Sequence, residues 1–338
     1  MKTGILIINL GTPDAPTPRS VGRYLREFLG DERVIDIPWL GRKILVNGII
    51  APTRKYKSAR EYKKVWTDKG SPLLLHAVAL KEKLQERFKG EDTTVEMAMR
   101  YQSPSMKSVL DKMNKDNYDR ILVLPLYPHY ASASTGSTIQ KAMELISKWY
   151  VIPEIQIISQ FWEDEGYLGS FEKRAGEFDL NAYDKILFSY HGLPERHVDK
   201  VYEDRKCSNH SCEDEINEEN KFCYKATCFA TTRALAKRLN IPEEKYTVCF
   251  QSRLDKKWLR PFADEVIEEL GKEGVKKLLV FSPAFVADCL ETTVEIGREY
   301  LEIFEENGGQ TLDLVPSLNS EDFWVSGLER MIRKKLIL

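Results

Sequence analysis

Short, continuous apolar runs alternate along this chain with longer stretches whose apolar residues recur every three or four positions. The short runs predict eight strands: Gly4–Leu10, Thr94–Met99, Arg120–Leu126, Ile155–Gln160, Lys185–Tyr190, Tyr246–Gln251, Lys276–Phe281 and Thr311–Val315. The longer stretches predict amphipathic helices, among them Pro72–Phe88, Ser105–Met113, Ile139–Trp149, Ala230–Leu239 and Glu291–Glu306. Strands that are apolar throughout, rather than at alternate positions, belong in sheets covered on both faces. Strand–helix alternation makes those sheets parallel. Eight strands suit two similar doubly wound α/β domains, divided near Tyr150–Pro153 into 1–150 and 151–338. A closed eight-stranded α/β barrel ranks second because the spacing is uneven.

In open parallel sheets, ligands bind beyond the carboxyl ends of the strands, so the residues that follow each strand carry the functional information. Strand one runs into Leu10-Gly11-Thr12-Pro13, the second into Arg100-Tyr101, and the third into Tyr127-Pro128-His129-Tyr130 and then Ser134-Thr135-Gly136-Ser137. The fifth runs into His191-Gly192-Leu193-Pro194 and the seventh into Ser282-Pro283-Ala284-Phe285. Aromatic and polar residues gathered on one rim predict a ligand cleft between the two domains.

Composition narrows the choice. The 338 residues are 42% hydrophobic and 30% charged, with a formal net charge of −2, as in a soluble globular protein. Such a balance gives no basic field for nucleic acid. No apolar stretch is long enough to span a bilayer, and the apolar run at the N-terminus is too short for a secretion signal, so a cytoplasmic location is expected. The two glycine-containing turns match neither a dinucleotide fingerprint nor a Walker motif, which argues against nucleotide binding.

Three features can carry chemistry. His191, one of five histidines, stands just past a buried strand, with a side chain suited to proton transfer near neutral pH. Glu291, Glu295 and Glu299 fall on one face of a helix that begins on the predicted ligand rim, with Asp288 just ahead of them. Carboxylates there can guide a cation or accept protons. Cys207, Cys212, Cys223 and Cys228 form a C-x₄-C-x₁₀-C-x₄-C series in a polar loop of about 202–228 that cannot pack a core by itself. Four thiolates suit tetrahedral Zn²⁺ or an iron–sulfur cluster. The x₄ spacing points to a [2Fe–2S] cluster, with structural Zn²⁺ as the alternative. A fourth segment, about 36–56, is apolar with basic punctuation. It is either core or an exposed apolar lip able to touch a membrane surface.

Taken in order, these blocks resemble the ferrochelatase family over nearly the whole chain. They are Ile8 to Pro13, Tyr62, Gly70-Ser71-Pro72, Arg100-Tyr101, Pro125 to Tyr130, Ser134 to Ser137 and Phe188 to Pro194. Phe250-Gln251-Ser252-Arg253, Trp258-Leu259, Ser282 to Asp288 and Leu290-Glu291-Thr292 complete the set. The resemblance implies two doubly wound (Rossmann-like) domains of chelatase-like fold with a porphyrin cleft between them, and insertion of Fe²⁺ into protoporphyrin IX with release of two protons. It implies that His191 and Glu291 are the catalytic pair that meets protons or the incoming metal, and that Glu295, Glu299 and Asp288 form a metal or proton path. Leu10, Arg54, Tyr62, Ser71, Arg100, Tyr101, Ser134, Trp258 and Phe285 are implied as porphyrin contacts, with Arg54, Tyr62 and Ser71 near the propionates. An apolar Leu10 resembles the protoporphyrin type rather than the coproporphyrin type.

Two departures stand out. Cys289 occupies a place where the family often has histidine, two residues before its carboxylate. The segment from His191 to Thr227 is longer than in simple bacterial members, and it resembles those bacterial members that hold a [2Fe–2S] cluster within the second domain. The rival readings are a chelatase for Co²⁺, Ni²⁺ or coproporphyrin III, a porphyrin or haem carrier without turnover, and a redox or iron sensor built on the cysteine loop.

Overall fold

The computed structural model describes residues 1–337. All eight predicted strands are present: β1 Thr3–Gly11, β2 Thr93–Tyr101, β3 Arg120–Pro125, β4 Glu154–Ile157, β5 Lys185–His191, β6 Tyr246–Gln251, β7 Lys277–Phe281 and β8 Thr311–Leu314. They form two four-stranded sheets of the same plan, ordered β2-β1-β3-β4 and β6-β5-β7-β8. Every pairing is parallel. The central strands explain the apolar runs. Ile5, Leu6, Ile7 and Ile8 of β1 and Ile186, Leu187 and Phe188 of β5 have no exposed surface, because each strand has a neighbour on either side and is covered on both faces.

The chain divides into two compact units, Met1–Gln160 together with Asn319–Leu338, and Phe161–Leu318. The division therefore falls ten residues later than the sequence suggests, and the last helix, Asp322–Ile337, belongs to the first unit rather than the second. Lys83 on helix Pro72–Arg87 pairs with Asp322 at 2.8 Å, Arg333 pairs with Glu91 at 2.7 Å, and Arg120 at the start of β3 donates to the Leu336 carbonyl at 2.6 Å. These contacts join elements over two hundred residues apart, and no local pattern announces them.

Local chemistry sets the helix boundaries. Thr17, Ser105 and Asp164 cap their helices by accepting N–H groups of the first turn, and Pro18 and Pro72 stand in first turns, where a missing N–H costs nothing. The stretch expected as one helix over Glu291–Glu306 is two. Glu291–Tyr300 is wound as a π-helix, and only Leu301–Glu306 is α-helical. A side chain placed at its first carbonyl supplies a physical reason: the Gln251 amide donates to the Glu291 C=O at 2.9 Å and competes with the regular ladder. Such wide turns are rare and gather at functional sites.

Segment 36–56 is mostly outside the core, with only Arg42, Val46 and Ala51 buried. It forms helix Trp39–Ile44, a π-turn Leu45–Ile50 and the start of helix Ala51–Val65. Trp39, Leu40, Ile44 and Ile49 are each more than half exposed.

Candidate active site

The second unit gathers its polar groups where β5, β6 and β7 end. His191 is the last residue of β5 and is half-buried. Its Nδ1 lies 2.6 Å from the Gly192 carbonyl, and a carbonyl only accepts, so Nδ1 carries the hydrogen and the neutral ring keeps its lone pair on Nε2. The imidazole stands between two half-buried aromatic rings, Trp258 at 6.4 Å and Phe285 at 6.3 Å. Trp258 is held there because its loop pairs with the turn after His191: Leu259 N–H donates to the Leu193 carbonyl at 2.9 Å and Glu195 N–H to the Lys257 carbonyl at 3.0 Å. The Tyr224 hydroxyl donates to the His191 carbonyl at 2.9 Å. By contrast, His129 of the first unit is buried, and burial pushes it down to about 3, so it remains neutral.

The three glutamates lie along the π-helix that follows β7, with Glu291 and Glu295 half-buried and Glu299 exposed. They are not equivalent. Glu295 is clamped by the Ser252 N–H at 2.7 Å, the Tyr300 hydroxyl at 3.0 Å, the Gln251 amide at 3.3 Å and the Ser252 hydroxyl. Burial and the Glu295 charge push the Tyr300 phenol up, so it stays a hydrogen-bond donor. Asp288 faces other partners: its carboxylate accepts from the Ser317 N–H at 3.2 Å and the Thr292 hydroxyl at 3.3 Å, which ties the loop before the helix to the segment after β8. Burial and the neighbouring Glu291 push the Cys289 thiol up, which keeps it protonated.

In the first unit, Arg100 and Tyr101 end β2 and converge on a residue that the sequence reading did not single out. Asp31 accepts from Arg100 Nη2 at 2.5 Å, the Ser137 hydroxyl at 2.5 Å, the Tyr101 hydroxyl at 3.0 Å and the Arg33 N–H at 2.8 Å. Burial alone would raise the Asp31 carboxyl, but the Ser137 and Arg33 hydrogen bonds and the Arg100 charge outweigh it and hold the group below its ordinary value. Tyr101 has no exposed surface and packs edge-on to Phe28 at 5.2 Å. Tyr101, expected as a ligand contact, is thus fully covered in this structure. Its hydroxyl is committed to Asp31, and it supports Arg100 from behind.

The other first-unit residues are spread over several elements. Leu10 is half-buried near the end of β1, Arg54 is exposed on helix Ala51–Val65, and Tyr62 on the same helix lies edge-on to Tyr24 and Trp66. Ser71 is buried just before helix Pro72–Arg87, and Ser134 is half-buried in the turn Ser132–Gly136.

The cysteine loop is compact, but it does not bring four thiols together. The Sγ atoms of Cys207, Cys212 and Cys223, all buried, lie 3.3, 3.8 and 3.9 Å apart and form a group able to hold a metal. Cys223 precedes helix Tyr224–Arg238; hydrogen bonds from Cys207 and Cys212, with the Ala226 N–H, hold its thiol well below its ordinary value. Tyr202 places its hydroxyl 2.8 Å from the Cys212 sulfur and stacks on His210. Cys228 lies outside this group. It is fully buried, and burial raises its thiol beside Tyr224. Zn–S bonds of about 2.3 Å in a tetrahedron set sulfurs about 3.8 Å apart, so the triad matches three corners of a single-ion site. A two-iron cluster divides four thiolates between two irons, and this arrangement does not fit that division. Of the four cysteines expected to act together, three are gathered here, and Cys228 stands apart from them.

The Asp31 network yields a pH-dependent stability. The folded carboxyl titrates below its unfolded value of 3.8, so its contribution is full above that pH and is lost as pH falls through the folded value. Asp31→Asn is expected to destabilise the protein by roughly 3 kcal/mol at neutral pH, since it leaves the half-buried Arg100 without its carboxylate. Denaturant unfolding should show the difference from wild type shrinking below pH 3.8. A penalty of the same size at every pH would mean that the charge is not what matters.

Comparison with known proteins places the chain. The ferrochelatase family profile matches residues 2–336. A ferrochelatase of Coxiella burnetii (strain Dugway 5J108-111) is 42% identical over 341 residues, covering 100% of this chain and 95% of that protein. A ferrochelatase of Legionella pneumophila (strain Corby) is 41% identical over 337 residues, covering 99% and 100%. In three dimensions the fold is similar to SirB from Bacillus subtilis with Fe³⁺ (TM-score 0.57, 13% identity, covering 99% of this chain and 96% of that one). It is also similar to the sirohydrochlorin chelatase SirB from Bacillus subtilis subspecies spizizenii in complex with cobalt (TM-score 0.55, 13% identity, 99% and 95%). The eight parallel strands, the ordered series of rim motifs and full-length relatives at this identity lead to one assignment: the chain belongs to the ferrochelatase family.

Proposed function

We propose that the protein inserts Fe²⁺ into protoporphyrin IX, and that the reaction takes place at the His191 rim of the second unit. The observation that carries this reading is the His191 ring itself, fixed by its Nδ1–H, flanked by Trp258 and Phe285, and presenting a basic Nε2. Both pyrrole N–H protons must leave before all four nitrogens can bind the metal, so a base on the ring face is required. His191 Nε2 takes a pyrrole proton, or meets the incoming iron, and Glu291 is the partnering carboxylate. Glu295, held by four donors, supplies a fixed negative charge behind Glu291, and the exposed Glu299 continues that line towards water. Asp288, bound to Ser317 and Thr292, anchors the loop instead of joining the line. Trp258 and Phe285 supply flat apolar surface for the macrocycle. On the first unit, Leu10, Tyr62, Ser71, Arg100 and Ser134 are proposed porphyrin contacts, and the exposed Arg54 guanidinium suits a propionate.

Purified protein given Fe²⁺ and protoporphyrin IX without oxygen should form haem. His191→Ala and Glu291→Gln should each lower kcat by two orders of magnitude or more, by roughly the contribution of a positioned acid–base group. Porphyrin that binds without being converted by the wild-type protein, with coproporphyrin III and Co²⁺ also tried, would instead support a carrier.

We further propose that Cys207, Cys212 and Cys223 hold a metal of structural role. Their sulfur spacing supports one tetrahedral ion such as Zn²⁺, which would fix a loop that has little apolar core of its own. The x₄ spacing of Cys223 and Cys228 supports the [2Fe–2S] alternative, for which Cys228 would have to swing towards the triad. Colourless protein carrying one zinc per chain is the expected result of metal analysis and visible absorption. A brown chromophore with two irons that is lost in Cys228→Ser would establish the cluster instead.

The exposed Trp39, Leu40, Ile44 and Ile49, with the Lys43 ammonium 4.8 Å from the Trp39 ring centre, support peripheral contact of this lip with a membrane surface. Wild-type protein should float with anionic vesicles, and Trp39→Glu combined with Leu40→Glu should stay in solution. Equal behaviour of the two would remove the lip from any membrane role.

A further inference from the structure

Gln251, the last residue of β6, is 1% exposed and carries an amide among the catalytic groups proposed above. Every polar atom of its side chain has a partner. Nε2 donates to the Glu291 carbonyl at 2.9 Å and to the Glu295 carboxylate at 3.3 Å, while Oε1 accepts from the Ser189 hydroxyl at 2.8 Å and lies 3.5 Å from the Ser282 hydroxyl. The orientation of the amide is not interchangeable. A carbonyl and a carboxylate only accept, so the NH₂ must face Glu291 and Glu295, and the oxygen is left to the two serines, which can donate.

The backbone of the same residue reaches the neighbour of the other catalytic group. The Gln251 carbonyl accepts the Gly192 N–H at 2.7 Å, which extends the β5–β6 pairing one step past the His191–Gln251 pair. The contact depends on glycine, since a Cβ at position 192 would stand 2.8 Å from the Gln251 oxygen. One buried residue thus bonds, through its main chain, the residue next to His191 and, through its side chain, the first turn of the helix that bears Glu291. Ser189 and Ser282 fasten it to β5 and to the residue that follows β7.

We infer that Gln251 is the positioning residue of this site, setting where Glu291 and Glu295 stand relative to His191. The inference rests on His191 and Glu291 being the catalytic pair. Gln251 needs no contact with porphyrin or iron for this role. It holds the opening of the π-helix against the end of β5, and its loss would let Glu291 drift while the aromatic surface around His191 remains.

The test is Gln251→Glu, which keeps the size and the acceptor facing Ser189 but puts an oxygen where the NH₂ stood. The titratable groups around it are Glu291 and Glu295 on the helix, Tyr300 behind Glu295, and His191 across the strand pair. The introduced carboxyl, when ionised, faces two acceptors; when protonated, it can again donate to the Glu291 carbonyl. At neutral pH kcat should fall about tenfold or more, with KM for porphyrin within about twofold of wild type. The ratio of wild-type to variant kcat should narrow as the pH is lowered. Gln251→Met, uncharged and without donors, should show the same split between kcat and KM at every pH, and it carries the test should Gln251→Glu not fold. Unchanged kcat in a folded variant, or kcat and porphyrin affinity falling together with the melting temperature, would overturn the positioning role. Turnover by His191→Ala and Glu291→Gln in the same assay would instead overturn the underlying catalytic assignment.

Discussion

The chemistry of this molecule depends on the parallel pairing of β5 between β6 and β7. Parallel strands all end on the same side, so each strand that leaves the sheet delivers its following residue to a common rim. Within the second unit this brings together His191 at the end of β5, Gln251 at the end of β6 with Ser252 after it, and Ser282 and Phe285 after β7. The strands are held by buried apolar centres, Ile186 to Phe188, Val248 to Phe250 and Leu278 to Phe281, and a change that shifted one strand by a single position would move its rim residue out of the group.

That rim places polar groups where water is scarce, and such groups persist only when satisfied. The two units meet the requirement differently. In the first, a carboxylate is the hub: Asp31 accepts from a guanidinium, two hydroxyls and a backbone amide, fixing Arg100 with a buried charge. In the second the hub is a neutral amide, Gln251, which donates to one side and accepts on the other. A neutral hub suits a place that already carries Glu291 and Glu295, since a further buried charge there would repel both.

The strands, the parallel sheets and most rim residues were legible in the sequence because burial on both faces and position after a strand are local signals. Gln251 and Ser252 lay within a motif at a strand end and could have been singled out by that position alone. Asp31 could not: its partners Arg100, Tyr101 and Ser137 lie 69, 70 and 106 positions away, and nothing in the residues around it marks a hub. The π-winding of Glu291–Tyr300 was hidden for a similar reason, since the amide beside its first carbonyl comes from 40 positions upstream. Cysteine spacing shows which thiols are near in sequence but not which of them meet in space: Cys207, Cys212 and Cys223 do, and Cys228 stands apart. Helix Asp322–Ile337 returns to the first unit with Trp324, Val325, Leu328, Met331 and Ile332 buried, and its ion pairs reach partners at similarly long range.

The central claim is that the His191 rim removes pyrrole protons as iron enters, and the most direct measurement is the number of protons released per porphyrin consumed. Weakly buffered protein, mixed with Fe²⁺ and protoporphyrin IX without oxygen in the presence of a pH indicator, should release two protons for each haem formed, at the rate of the porphyrin absorbance change. His191→Ala should release none on that timescale while still binding porphyrin. Proton release that is unaffected in His191→Ala, or porphyrin uptake by the wild type with no release at all, would contradict the account.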